Sequence, residues 1–296
     1  MFFLAVLSSV LVVSLGDIAH ANSRLSSASP SDDIISIALL HFDSTLADLE
    51  SNTQLIERGV RLAASEGAQW IMTPELALTG YRFDLVIGTD WINAEVDPWR
   101  ARLQQLSKQL EITLFLSHLE MDDEGRRFNT LFVLSKGDLI GRHHKINTIA
   151  LSESWSTPGT SPTLVTVDDV KVGLLICADA WPATHANNLA QRGADILLSS
   201  ANWSPGEYGP GLTWEKRSQE TQLPLIVNNR TGLEARAAGA SVDMREAKSV
   251  YVAAGERSFE HQSAQSSVII LRWRRSDRQL IDARVIAWPA VADKPT

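Results

Sequence analysis

One cysteine stands in the chain, Cys177, and it closes the buried-strand pattern Val172-Gly173-Leu174-Leu175-Ile176 just before Ala178-Asp179-Ala180-Trp181-Pro182. A thiol at a strand-to-helix junction is placed for nucleophilic chemistry. Two further junctions are built alike. Trp70-Ile71-Met72-Thr73-Pro74 runs into Glu75, and Leu139-Ile140-Gly141-Arg142-His143-His144 runs into Lys145. A carboxylate, an ammonium and a thiol, each at the end of an apolar strand, predict one shared pocket. A buried cysteine is otherwise most often a small hydrophobe, and a glutamate after proline can simply cap a turn. A carboxylate buried behind an apolar strand is costly, however, unless it has a partner or a task. The pair His143-His144 does not indicate a metal, because strand alternation sends the two rings to opposite faces and no third ligand lies at a metal-site spacing.

These junctions need elements to hold them. Ile34-Ile35-Ser36-Ile37-Ala38-Leu39-Leu40 is a β-branched apolar run, and Leu49, Ile56, Val60, Ala63 and Ala64 then recur at helical spacing until Gly67. The alternation repeats with a strand at 70–72, a helix at 97–110 and a strand at 112–117. Strands at 129–134 and 139–144 flank Lys136-Gly137-Asp138, which predicts a hairpin with a Gly-Asp turn. The second half resumes with a strand at 170–176, a helix from about Ala183 to Gly193 and a strand at 195–199. A helix at 213–221, a strand at 225–228 and closing strands at 249–253, 267–273 and 284–287 complete the reading. Strands alternating with helices and interrupted by hairpins predict an α/β fold with a mixed sheet covered by helices.

With 296 residues, 44% of them hydrophobic, the chain has ample core for one large domain, and no linker divides it. Its net charge of -8 and the single short basic run Arg272-Trp273-Arg274-Arg275 argue against a nucleic-acid partner. No Gly-rich phosphate loop is visible, and no cofactor is expected. At the N-terminus an apolar run from Met1 to Leu15, short for a membrane span, precedes Ala19-His20-Ala21, a small-x-small cleavage pattern. Residues 1–21 therefore read as a secretory signal peptide, 22–33 as a polar lead-in and 34–290 as the folded domain. Location is expected to be periplasmic or secreted, without stable membrane insertion after cleavage. The alternative is an uncleaved N-terminal anchor, since the segment before the apolar run lacks Lys and Arg. A lone cysteine forms no intrachain disulfide, so either compartment suits the fold.

Taken in order, Thr73-Pro74-Glu75-Leu76-Ala77-Leu78-Thr79-Gly80-Tyr81, His144-Lys145, Gly173-Leu174-Leu175-Ile176-Cys177-Ala178-Asp179 and Asn229-Arg230-Thr231-Gly232-Leu233-Glu234 resemble the nitrilase, or carbon–nitrogen hydrolase, superfamily. The resemblance implies an αββα sandwich assembled as a homodimer or higher homo-oligomer, and a Glu75-Lys145-Cys177 triad. It also implies a second glutamate ahead of an aromatic-x-Pro-Gly segment. Leu151-Ser152-Glu153-Ser154-Trp155-Ser156-Thr157-Pro158-Gly159 matches that pattern and makes Glu153 the candidate. In the family's chemistry Glu75 takes the Cys177 proton and later returns it to the leaving amine. Lys145 and the backbone N–H of Ala178 stabilise the tetrahedral oxyanion, and Glu153 keeps Lys145 protonated and aimed.

Trp155, Trp203, Tyr81 and Ala178 are the expected substrate-binding residues, with Trp181 beside them. Asp179 is expected to orient the nucleophile turn by accepting backbone N–H bonds. The implied activity is hydrolysis of a small linear amide or N-carbamoyl compound through a cysteine thioester. Ala178-Asp179 stands where nitrile-hydrolysing relatives carry Trp-Glu, which makes nitrile hydrolysis the second reading. Acyl transfer to an amine and a catalytically silent scaffold are the remaining alternatives. The patterns Asn202-Trp203-Ser204 and Asn229-Arg230-Thr231 fit glycosylation acceptors but end predicted core strands, so modification is not expected.

Overall fold

Alternation along the strands divides the molecule into layers. In the strand Ile34–His41, Ile35, Ile37 and Leu39 enter one core while Ala38 and Leu40 enter another. The same split separates Leu131 and Val133 from Phe132 and Leu134, and Ile269 and Leu271 from Val268 and Ile270. A pleated strand sends successive side chains to opposite faces, so an unbroken apolar run serves two layers at once.

The computed structural model describes residues 33–95, 97–207, 209–235 and 241–288. The predicted signal peptide and the lead-in up to residue 32 lie outside them. In chain order the elements are β1 (Ile34–His41), α1 (Leu49–Ser65), β2 (Trp70–Met72), α2 (Asp84–Ile87), α3 (Pro98–Gln109), β3 (Thr113–Met121), β4 (Arg127–Ser135) and β5 (Asp138–His144). There follow β6 (Thr163–Val167), β7 (Val170–Ile176), a 3-10 turn at Cys177–Ala180, α4 (Ala183–Gln191), β8 (Ile196–Ser200), α5 (Thr213–Thr221) and β9 (Leu225–Asn228). The last are β10 (Leu233–Ala235), β11 (Ser241–Asp243), β12 (Ser249–Ala253), β13 (Glu256–His261), β14 (Ser267–Arg274) and β15 (Gln279–Ala287).

One sheet runs β15-β14-β1-β2-β3-β4-β5 and a second runs β13-β12-β9-β8-β7-β6, with β10 and β11 forming a separate ribbon. Ile56 and Val60 of α1 and Leu103 and Leu106 of α3 pack on the outer face of the first sheet. Ala186 and Leu189 of α4 and Trp214 of α5 join the core of the second. Between the sheets Ile37, Leu39, Trp70, Met72 and Phe115 share one core with Leu174, Leu198 and Ile226. The result is the αββα sandwich.

Local signals set the boundaries. Asp97 caps α3 by accepting from the Arg100 N–H at 2.6 Å, and Pro98 occupies the first turn, where a missing donor costs nothing. The hairpin between β4 and β5 turns on Lys136-Gly137 instead of Gly-Asp. Both turn residues have positive φ, 51° and 97°, the primed turn whose twist matches its strands. Asp138 already belongs to β5. The sequence reading passed over β6 and β13, the two edges of the second sheet. In β13 no residue of Glu256–His261 is fully buried, so the hydrophobic pattern carries no strand signal there.

Direction gathers the site. β1, β2 and β3 pair in parallel, as do β7, β8 and β9. β5 pairs antiparallel to β4, which pairs antiparallel to β3, so β5 shares the direction of β2. Glu75, Lys145, Cys177 and Asn202 therefore all follow carboxyl ends of strands, where open α/β sheets present their ligand sites. Cross-links join the two sheets at this rim. Ser200 Oγ donates to Thr73 O at 2.8 Å, and Asn228 Nδ2 donates to Met72 O at 2.8 Å.

Candidate active site

The residue chosen first from the sequence stands where the backbone is least comfortable. Cys177 has φ +46°, a left-handed conformation that costs a non-glycine residue about 1–2 kcal/mol. Leu76, directly after Glu75, has φ +49°. Strain of this kind persists only where the surroundings over-determine it, and it clusters at functional sites. Here the surroundings are hydrogen bonds. Asp179 Oδ2 accepts from the Ile176 N–H at 3.0 Å, and the Leu76 N–H donates to Ser117 Oγ at 3.0 Å.

Lys145 Nζ lies 2.6 Å from Glu75 Oε1 and 2.6 Å from Glu153 Oε2, with all three side chains fully buried. Two carboxylates around one ammonium leave a formal charge of -1. Further donors meet it. Asn129 Nδ2 donates to Glu75 Oε1 at 2.8 Å and to Glu153 Oε1 at 2.7 Å, the Ile149 N–H donates to Glu153 Oε2 at 2.9 Å, and the Asn202 N–H donates to Glu75 Oε2 at 3.0 Å. The Asn202 main chain also favours the ionised form of the Cys177 thiol, against the larger effect of burial.

Burial pushes the Glu75 carboxyl up to about 7, with Glu153 adding to the rise and Lys145 opposing it. Burial alone would neutralise Lys145, but Glu75 and Glu153 outweigh it and hold the ammonium well above its ordinary range. The Cys177 thiol is pushed well up by burial and by the nearby Glu75 carboxylate, so it rests protonated. The arrangement thus pairs a thiol that needs a base with a carboxyl poised to be one.

Asp179 does more than orient the nucleophile turn. Its Oδ1 accepts from the Ile146 N–H at 2.9 Å and the Asn147 N–H at 2.7 Å, which fastens the segment after Lys145 to the turn that carries Cys177. Asn147 Nδ2 adds a bond to Ala178 O at 2.8 Å, and His143 Nε2 sits 2.9 Å from Asp179 Oδ2. Burial would raise Asp179, but His143 and these N–H groups hold it below the ordinary carboxylate range. His144 takes the opposite face, stacked on Phe128 and bonded to Glu120.

The residues expected to bind substrate divide into two groups. Tyr81 is buried beside the triad, its ring 5.6 Å from Lys145 Nζ and its hydroxyl 3.1 Å from Ser152 Oγ. Trp155 packs edge-on against Phe83 at 5.1 Å on that same side. Trp203 follows Asn202 and stands between Trp181, 5.5 Å away, and Trp214, 5.8 Å away. Its backbone is clamped by Asn229, whose Oδ1 accepts from the Trp203 N–H and whose Nδ2 donates to Trp203 O. Ala178 is buried at the nucleophile turn. Asn202 and Asn229 are both buried, which closes them to glycosylation.

The profile of the carbon-nitrogen hydrolase family matches residues 36–266. The chain belongs to that family. Among curated relatives, the chloroplastic omega-amidase of Arabidopsis thaliana is 30% identical over 62% of this chain and 53% of its own length. The glutamine-dependent NAD(+) synthetase of Acinetobacter baylyi is 24% identical over 66% of this chain and 37% of its own length. The chain thus spans 37–53% of the length of these relatives. Among solved structures, an amidase from Nesterenkonia sp. superposes with TM-score 0.72 over 82% of this chain and 91% of that chain, at 24% identity, a likeness of fold.

Sequence reasoning named Glu75, Lys145, Glu153 and Cys177, and the structure brings all four together. It missed Asn129, His143, Asn147 and Asn202 as members of the same network. Asn129 carried a usable signal, since a side chain with two donors inside the apolar strand Phe128–Leu134 needs acceptors once buried. Asn202 acts through its main chain, which no side-chain pattern reveals.

Proposed function

We propose that the protein hydrolyses a small linear amide or N-carbamoyl compound through a Cys177 thioester. The observation that carries this reading is Lys145 Nζ held between Glu75 and Glu153, with the single cysteine buried at the neighbouring strand end within reach of their charges. The omega-amidase relative, and Ala178-Asp179 where nitrile-hydrolysing members carry Trp-Glu, support an amide over a nitrile. Cys177 Sγ attacks the carbonyl carbon as its proton passes to Glu75. The oxyanion that forms is stabilised by Lys145 and the Ala178 N–H; such donors are typically worth about 3–4 kcal/mol each. The C–N bond then breaks, the nitrogen leaving with the proton held by Glu75. Water attacks the thioester as Glu75 takes a proton from it, the C–S bond breaks, the acid departs, and Glu75 returns that proton to Cys177 Sγ. Glu153 keeps Lys145 charged throughout.

The test is ammonia release over a panel of amides, N-carbamoyl amines and nitriles, run beside Cys177→Ala. Turnover of at least one amide or carbamoyl substrate by the wild type, abolished in the variant, is expected. Turnover confined to nitriles, or retained by Cys177→Ala, would overturn the reading.

A further inference from the structure

The amide of Asn129 has one orientation available to it. Its nitrogen lies 2.8 Å from Glu75 Oε1 and 2.7 Å from Glu153 Oε1, so reversing the group would set an oxygen against two carboxylates. In the orientation present, both amide hydrogens are spent on the two glutamates while Asn129 Oδ1 is buried without a hydrogen-bond partner. A buried acceptor left unpaired carries a desolvation cost that the other contacts of the residue must offset. The main chain of the same residue reaches the third member of the cluster, for Asn129 O accepts from the Lys145 N–H at 2.8 Å. One β4 residue thereby touches Glu75, Glu153 and Lys145.

The consequence lies in the two oxygens of Glu75. Oε1 accepts from Lys145 Nζ at 2.6 Å and from Asn129 Nδ2 at 2.8 Å. Oε2 accepts from the main-chain Asn202 N–H at 3.0 Å, and the Glu75 charge reaches the Cys177 sulfur. We propose that Asn129 is a positioning residue which, with Lys145, fills Oε1 and leaves Oε2 as the oxygen that exchanges a proton with Cys177. The bond to Glu75 also favours the ionised form of that carboxyl, against burial. The charged or titratable groups facing Glu75 are Lys145, Glu153, Cys177 and Tyr81. Removing the Asn129 donor leaves Glu153 repelling Glu75 with one fewer hydrogen bond to offset it. The Glu75 carboxyl then rises, and its basic form appears only at higher pH.

This inference rests on Glu75 serving as the base of the proposed function, and its test needs no substrate. Cys177 is the chain's single thiol, so its alkylation by iodoacetamide reports the site directly. Rates are measured from pH 5 to pH 10 on the folded wild type, Asn129→Leu and the isosteric Asn129→Asp. Ammonia release is followed in parallel, and thermal unfolding confirms the fold. The wild type is expected to show an acid limb near pH 7, and Asn129→Leu a limb about one pH unit higher. Alkylation at pH 6 then falls about tenfold and recovers by pH 9. Asn129→Asp, which turns a donor into an acceptor, is expected to shift the limb further, and it serves alone if the leucine variant does not fold. Folded variants whose limb stays with the wild type would overturn the inference while leaving the function standing. A wild type without an acid limb would overturn both. Shifted limbs in a protein that releases no ammonia would support the inference and overturn the function.

Discussion

At the scale of the residue, a proton, a charge and a thiol have to be arranged where water is excluded. Burial raises the thiol and the carboxyl together, which places the Cys177 proton within reach of a base of closer proton affinity than an exposed glutamate has. Replacing Glu75 by Gln keeps the shape and removes the base. Acylation is expected to fall roughly 10²- to 10⁴-fold in single-turnover kinetics, with substrate affinity little changed. Lys145→Ala removes the positive partner of the oxyanion and leaves two buried carboxylates facing each other, so a comparable loss is expected. The two losses should not add, because the groups act as one unit. A Glu75→Gln protein with near-normal acylation would transfer the base to Glu153.

At the scale of the element, strand ends do the positioning, and small residues let them approach. Gly159 is an example in which space decides, since its φ is not in the left-handed region. A Cβ built there would lie 2.3 Å from His144 O, and the Gly159 N–H donates to Lys145 O at 2.8 Å. Gly159→Ala must therefore push the end of β5, and Lys145 with it, away from the loop that carries Glu153. A loss of more than about 2 kcal/mol in urea unfolding is expected, as for an overpacked core site. The acylation rate should drop with it, since a misplacement of about 1 Å can cost about 10²-fold. An alanine variant with wild-type stability and rate would show that the loop yields without disturbing Lys145.

At the scale of the whole molecule, the two sheets must stay in register for residues from both to meet. Phe115 is fully buried between the sheets and stacks edge-on with Trp70 at 5.7 Å. Its carbonyl accepts from the Thr73 N–H at 3.0 Å, just before Glu75. Phe115→Ala is expected to cost about 3–5 kcal/mol in chemical denaturation. Activity should disappear at a lower temperature than in the wild type while the rate at low temperature is retained. A variant that loses its rate at low temperature with little change in stability would place Phe115 in the site itself.

The sequence by itself determined the layers and the candidate groups that the strand ends bring together. Near-continuous apolar runs marked β1, β7 and β9, helical spacing marked α1, and the strand ends marked Glu75, Lys145 and Cys177. These are local signals, written in consecutive residues. Edge strands such as β13 escaped because solvent on their faces removes the apolar pattern. The turn of the β4–β5 hairpin was displaced by one residue because positive φ at Lys136 is a backbone property that side-chain type only weakly marks. What only the tertiary structure decided is which groups share a hydrogen bond: Asn129 between two glutamates, the Asn202 N–H on Glu75 Oε2, and Asp179 between the lysine and cysteine segments. Each joins residues distant in sequence through the convergence of strand ends, the second and third of them across the two packed sheets, and a main-chain N–H has no side chain by which a sequence could announce it.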